Sequence, residues 1–456
     1  MLVIISDVHL GDGTTANSIS PSAFHLFSNR LRETAYYASF RKDGTYHPIE
    51  SIDLLLMGDI LDPLHSTLWL DNTPPTALAY TRPWTDTKSS NFAFKLAKTT
   101  QAIINHNRES LEILRRCANG EAIFLPPANG HGQPDTTSKE RIAVKVHTYY
   151  MVGNHDWYYH LQGAAFDQIR KLVIDTIGLS NPQNLFAYDL SEYPKLQDVL
   201  RQYKVFARHG DCFDKFNFNR EMGRDHATLG DVFTMDVCNR YPLEVQSRYG
   251  DRLSKGIIDN LRRLTNVRPA LATPLWISGQ LRRHAGNAEL EKKMKEVWDD
   301  LCDQFLQLPF VREQDKAFKF DIVDALEIAI KISKRTSFQT INDVVMWARD
   351  RMGESERSFA EHALTEPEFL NDNARFVIYG HTHHHEIVPL DANGEPPNEQ
   401  SQLYINSGTW HSYFDLAIKD PSQQKFIPYQ SLTYLTFYKD GERDGRLFET
   451  WSGAYA

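Results

Sequence analysis

Residues 1–10 read MLVIISDVHL. Leu2, Val3, Ile4 and Ile5 are an apolar, largely β-branched run of the kind that becomes a strand buried on both faces. The run stops at Ser6, Asp7, Val8 and His9, a carboxylate and an imidazole two residues apart. Alone, such an ending is a polar turn. With partners elsewhere in the chain it supplies the first two ligands of a site.

Partners recur. "IDLLLMGDILD" predicts a strand from about Ile52 to Met57 that halts at Gly58 and Asp59, and "HTYYMVGNHD" halts at Gly153, Asn154 and His155. "YKVFARHGD" ends in His209, and "ARFVIYGHTHHHE" in Gly380, His381, Thr382 and His383. Glycine lets the backbone approach a bound group closely, while the rigid strand fixes where the next side chain points. Two further strands, "LYINSGTW" and "LTYLTFY", follow. Between strands, residues 88–118 carry one helical pattern, and "PPANGHGQPD" (residues 126–135) reads as a surface loop. Residues 218–365 read as a helical insertion, with "AELEKKMKEVWDDLCDQFLQL", "DIVDALEIAIKISKRT" and "TINDVVMWARDRM" repeating apolar positions three and four apart.

Composition narrows the class. A chain of 456 residues, 41% hydrophobic and 24% charged, can bury a large core and resembles neither disordered nor membrane proteins. The apolar runs are strand-sized, so no membrane span is expected, and no basic segment precedes the first run as in a secretory signal. Cys117, Cys212, Cys238 and Cys302 are scattered, which suits reduced thiols and a cytoplasmic location. The net charge of −9 argues against wholesale coating of nucleic acid. Against that acidic background, Arg248, Arg252, Lys255, Arg262, Arg263, Arg268, Arg282 and Arg283 form a local basic segment, read either as a solvated helix face or as a guide for a phosphate-bearing substrate.

If the strand ends converge, they bring together Asp7, His9, Asp59, Asn154, His209, His381 and His383. Two carboxylates, four imidazoles and an amide suffice for two divalent ions bridged by Asp59. Oxygen and nitrogen donors without thiolate suit Mn, Fe or Zn.

The motifs D-x-H (Asp7, His9), G-D-x-x-D (Gly58, Asp59, Asp62), G-N-H-D (Gly153–Asp156), H-G-D (His209–Asp211) and G-H-T-H (Gly380–His383), in that order, resemble the calcineurin-like metallophosphoesterases. The resemblance covers residues 1–217 and 366–456 and leaves out the insertion, a candidate cap. It implies a four-layer α/β/β/α core, a β-sandwich flanked by helices. It also implies that Asp7, His9 and His383 hold one metal, that Asn154, His209 and His381 hold the other, and that Asp59 bridges them. His155 would be the general acid, Asp156 its support, and Asp62 an acceptor for a ligand imidazole. The implied activity is hydrolysis of a phosphodiester, phosphomonoester or pyrophosphate by water activated between the metals. H-G-D followed by a helical insertion resembles the UDP-2,3-diacylglucosamine pyrophosphohydrolase branch, although here the insertion is much longer. A nuclease of the same family and a catalytically silent scaffold are the alternatives. Oligomeric state is not legible.

Other polar residues read more plainly. His384 and His385 alternate along a strand, so both cannot face one site, and His411 lies on a loop after "SGTW". Asp211 and Asp214 read as turn formers or acceptors for a ligand, and Asp12 and Asn17 as loop residues.

Overall fold

The computed structural model describes all residues except 16–17, 72, 74–76, 78, 254, 269–272, 274–275, 278, 281–287, 315–357, 394–399, 418–424 and 455–456. The chain is mixed α/β with several sheets. It begins with β1 (Leu2–Ile5), α1 (Pro21–Ala38), β2 (Ser51–Met57), α2 (Ser90–His106) and α3 (Arg108–Ala118). A short pair, β3 (Phe124–Leu125) and β4 (Ile142–Ala143), precedes β5 (Lys145–Met151), α4 (Ala164–Ile177), α5 (Pro194–Arg201) and β6 (Val205–Ala207). The remaining strands are β7 (Val267–Arg268), β8 (Phe376–Tyr379), β9 (Glu386–Asn393), β10 (Gln400–Asn406), β11 (Tyr413–Leu416), β12 (Phe426–Tyr429), β13 (Ser431–Phe437) and β14 (Phe448–Ala454).

All seven expected strands form. β1 lies inside a five-stranded sheet ordered β14-β13-β1-β2-β5, parallel to β2 and antiparallel to β13. That central position explains its unbroken apolar run. Leu2 and Ile4 face one core with Leu55, Met57, Leu435 and the four-stranded sheet β6-β8-β10-β9. Val3 and Ile5 face the other, with Leu54, Leu56 and residues of α1 to α4 such as Phe27, Leu96, Leu114 and Val173. Helices, sheet and second sheet therefore stack as layers, each interface filled by alternate residues of the same strands.

Two details differ from the sequence pattern. The pattern over 88–118 resolves into two helices that meet at Asn107, whose Nδ2 donates to Ile103 O at 2.8 Å and to Gly11 O at 2.7 Å. A side chain that bonds the backbone competes with helix propagation, and here it also ties the corner to the loop after His9. The insertion, moreover, is not self-contained. Its helices, including Arg240–Tyr249 and Ala288–Gln307, bury a separate core around Tyr241, Trp276, Trp298, Leu301 and Phe305. That core also takes in Phe426, Phe414 packs against it and β7 pairs with β11, so β11 and β12 share in it. The segments "DIVDALEIAIKISKRT" and "TINDVVMWARDRM" lie outside the described residues. No disulfide joins the four cysteines. Among the described residues, no helix is long and apolar enough to cross a membrane.

Candidate metal centre

β1, β2 and β5 run parallel, so their carboxyl ends share one edge of the sheet, and β6 and β8 are likewise parallel in the second sheet. Backbone bonds stitch the turns beyond them together. Asp7 N donates to Gly58 O (3.1 Å), His9 N to Asp59 O (2.9 Å), Gly380 N to His209 O (2.9 Å) and Trp410 N to Asp7 O (3.1 Å).

The turns bend sharply at the ligand residues. Asp7, His9, Asp59, His381 and His383 all have left-handed backbone, with φ of 52°, 50°, 55°, 67° and 65°. Each such residue costs about 1–2 kcal/mol, and this kind of strain clusters where a site must be shaped. Glycines supply the clearance. A Cβ on Gly153 would collide with Asp59 Oδ1 and lie 2.7 Å from His209 Nε2, and one on Gly380 would lie 2.6 Å from Asp7 Oδ2.

The seven expected ligands come together. His9 Nε2 is 3.2 Å from His383 Nε2, 3.9 Å from Asp7 Oδ1 and 3.8 Å from Asp59 Oδ2. His383 Nε2 is 3.3 Å from Asp7 Oδ1. His209 Nε2 is 3.2 Å from both Asp59 Oδ2 and Asn154 Oδ1, and Asn154 Oδ1 is 2.9 Å from His381 Nδ1. Donors that sit about 2.0–2.2 Å from a shared cation are separated from one another by such distances. Asp7 with His9 and His383, and Asp7 with Asp59 and His209, are groups able to hold a metal ion. The donor chemistry fits a cation in another respect too. Asp7 Oδ1 is buried with no hydrogen-bond partner.

The imidazoles are also held from behind. His9 Nδ1 donates to Asp62 Oδ2 (2.8 Å), His209 Nδ1 to Met57 O (3.1 Å) and His381 Nε2 to Asp214 Oδ2 (3.0 Å). Each bond fixes the tautomer that leaves the other ring nitrogen facing the cluster, the usual support of a metal-ligating histidine. Asp62 and Asp214 thus act as the acceptors the sequence suggests.

Burial of two carboxylates is compensated by these imidazoles. Burial would raise Asp7, yet His209 and His383 hold it at about 2. Asp59 lies well below the ordinary carboxylate range because His209, His155 and His9 outweigh its burial. In the reverse sense, Asp59 and Asp7 overcome the effect of burial on His209 and hold it well above an ordinary imidazole.

His155 lies at the rim, its backbone N–H on Asp59 Oδ1 (2.8 Å) and its Nδ1 on Asp62 Oδ2 (3.1 Å). Asp156 does not play the part expected of it. Its carboxylate accepts from Gly153 N (2.6 Å), Ile60 N (3.0 Å) and Tyr150 Oη (2.6 Å), so it clamps two ligand turns together while Asp62 supports His155. Burial, then the nearby Asp59, push the Asp156 carboxyl up to about 7.

Sequence reasoning missed His65. Its Nδ1 lies 2.7 Å from Asp62 Oδ2 and its ring centroid 4.9 Å from that of His155. His411 does reach the edge, with its ring 5.2 Å from that of His9. His384 and His385 turn to Tyr413 Oη and Asn406 O. Asp211 pairs with the buried Arg224, Asp12 holds Thr14 and Ser66, and Asn17 lies outside the described residues.

The insertion meets the loops that carry Asp59 and Asn154 and the loop after β10 that carries His411. Asn239 Nδ2 donates to Leu64 O (2.9 Å), Trp157 Nε1 to Asp231 Oδ1 (3.1 Å) and His411 Nε2 to Asn266 Oδ1 (2.8 Å). Its basic segment divides. Arg248 and Arg252 face Asp300 and Glu289 of the helix Ala288–Gln307, as a solvated face would, whereas Arg262 lines a small cleft with Thr14, Thr15, Asn239 and Thr265. Arg263 stacks over Phe414. Arg282 and Arg283 lie outside the described residues, as do the side chains of Lys255 and Arg268.

No protein-family model matches the chain, and no curated protein matches it.

Proposed function

We propose that the chain is a dinuclear-metal phosphoesterase of the calcineurin-like kind, its stacked layers forming the four-layer α/β/β/α core of that family. The observation that carries this reading is the convergence of seven oxygen and nitrogen donors where the strand ends of two sheets meet, five of them on left-handed backbone. Asp7, His9 and His383 hold one ion, Asn154, His209 and His381 the other, and Asp59 is shared. Bound there, two divalent cations supply Lewis acidity toward a phosphoryl group and an activated water.

The chain's own groups do the rest. Asp62, accepting from His155 Nδ1, aims the ring, so that Nε2 is the atom His155 presents to the leaving oxygen for proton delivery. Asp156 keeps the Asp59 and Asn154 turns in register. The insertion lies over the loops at Leu64, Trp157 and His411 and sets which ester can enter.

The test is hydrolysis of bis-p-nitrophenyl phosphate and p-nitrophenyl phosphate after loading with Mn, Fe or Zn, beside the Asp59→Asn variant. Turnover by the native chain, with both rate and metal content lost in the variant, is expected, because a neutral amide bridges two cations poorly. No turnover with any of the three metals overturns the reading in favour of a silent scaffold.

A further inference from the structure

We propose that His65 is a positioning residue of this site: it locks the Asp62 carboxylate so that one oxygen serves a metal donor, His9, and the proton donor, His155, together. The inference rests on the phosphoesterase reading for its chemical consequence, though not for its geometry.

His65 holds both oxygens of Asp62. Its backbone N–H donates to Oδ1 at 3.0 Å and its Nδ1 to Oδ2 at 2.7 Å. The terminal torsion of an aspartate is broad, so a carboxylate gripped at one oxygen can still swing. Gripped at both, it cannot. Oδ2 then receives His9 Nδ1 at 2.8 Å and His155 Nδ1 at 3.1 Å, three imidazoles on one oxygen.

His65 is in turn held on several sides. It is 8% exposed, its carbonyl accepts from Thr15 Oγ1 at 3.0 Å, and its ring packs against that of His155. The preceding residues are pinned as well, Pro63 O by Trp69 Nε1 (2.8 Å) and Leu64 O by Asn239 of the insertion (2.9 Å). The arrangement links the insertion to the imidazole that delivers the proton through four consecutive residues, Asp62 to His65, with the two pinned carbonyls of Pro63 and Leu64 between the carboxylate and the imidazole that grips it.

The experiment compares His65→Ala with His65→Asn, whose amide N–H replaces Nδ1–H. The tautomers of His9 and His155 are read by long-range proton–nitrogen correlation in the metal-free, nitrogen-15-labelled protein. Hydrolysis of aryl and alkyl phosphate esters and metal content are measured in parallel. His65→Ala should disturb both tautomers and slow the alkyl ester about 10- to 100-fold, with a smaller effect on the nitrophenyl ester, and His65→Asn should restore both. Wild-type tautomers in His65→Ala overturn the proposal. So does equal loss on both esters with a lowered melting temperature and no rescue by Asn, since that is a purely structural role. If the native chain hydrolyses neither ester while the tautomers still shift and return, the phosphoesterase reading falls and the positioning role stands.

Discussion

Around Asp59, polar atoms crowd to 2.8–4.0 Å on left-handed backbone, and glycines keep the space open. Around Trp298 the opposite holds: Phe233, Tyr241 and Leu301 fill a core of apolar side chains, with rings edge to face at 5.5–6.3 Å. The first region gives up stability for a shaped cluster of donors. The second region recovers it by apolar burial, at about 25 cal/mol per Å², and is joined to the rest by polar bonds and by Trp84 and Phe310, which pack against both cores. On the proposed reading, the chain divides two tasks between these regions, strained donors in one and substrate selection in the other, along a seam where they pack together.

If the division is real, changes on either side should separate chemistry from stability. The largest effect is expected at His155. His155→Ala should leave metal content unchanged and slow an alkyl phosphate ester by roughly 10² to 10⁴, with a smaller loss for a nitrophenyl ester, which needs less protonation. Equal losses for the two esters would place His155 outside proton transfer. A medium effect is expected in the insertion, where Leu301→Ala should cost about 2–5 kcal/mol of the stability of that region while metal content, measured by elemental analysis, stays at the native level. Loss of metal in step with unfolding would show one cooperative core instead of two.

The smallest effect lies at the seam. His160 Nδ1 is 2.5 Å from Asp225 Oδ1 of the insertion and Nε2 is 3.1 Å from Glu192 Oε1 of the core, with the ring of Tyr188 at its edge. Burial lowers this imidazole, but the two carboxylates outweigh it and raise it to about 9. A folded pKa above the ordinary 6.5 stabilises the native state fully below that value, and the contribution fades as pH rises through about 9. The melting temperature should therefore fall between about pH 6 and pH 9.5 by less in His160→Gln than in the native chain. An unchanged slope would remove His160 from the seam.

What the sequence reveals follows from how local the signal is. A strand, a glycine and a ligand lie within a few residues, so Asp7, Asp59, Asn154, His209 and His381 stand out in one dimension. His65 does not, because it lies late in the loop after β2, beyond Pro63 and away from the strand end; only its spacing of three from Asp62, which lets backbone and ring reach one carboxylate, could have marked it. Asp156 was drawn to His155 by adjacency, whereas neighbouring side chains diverge and its bonds go to Ile60 and Tyr150. The partners of Arg248 and Arg252 come from residues 289–300, and the pairing of β7 with β11 spans about as much chain as a small domain, so neither leaves a local trace.

The placement of β1 bears on how the protein is made. β1, which is made before every other strand described here, is flanked by β2 and by β13, its Leu2 opposite both Asp53 and Phe437. Until residues 431–437 have left the ribosome, one side of β1 is an open edge able to pair with another chain. His381 and His383 also emerge late, so the donor cluster cannot close around an ion during most of translation. Contacts of such sequence separation form slowly, and a nascent chain stalled before residue 380 would present Asp7, His9 and Asp59 with no partners and a bare strand beside them. Closure of the donor cluster is in this sense a late event, which comes only after β8 and the turn beyond it have reached β1.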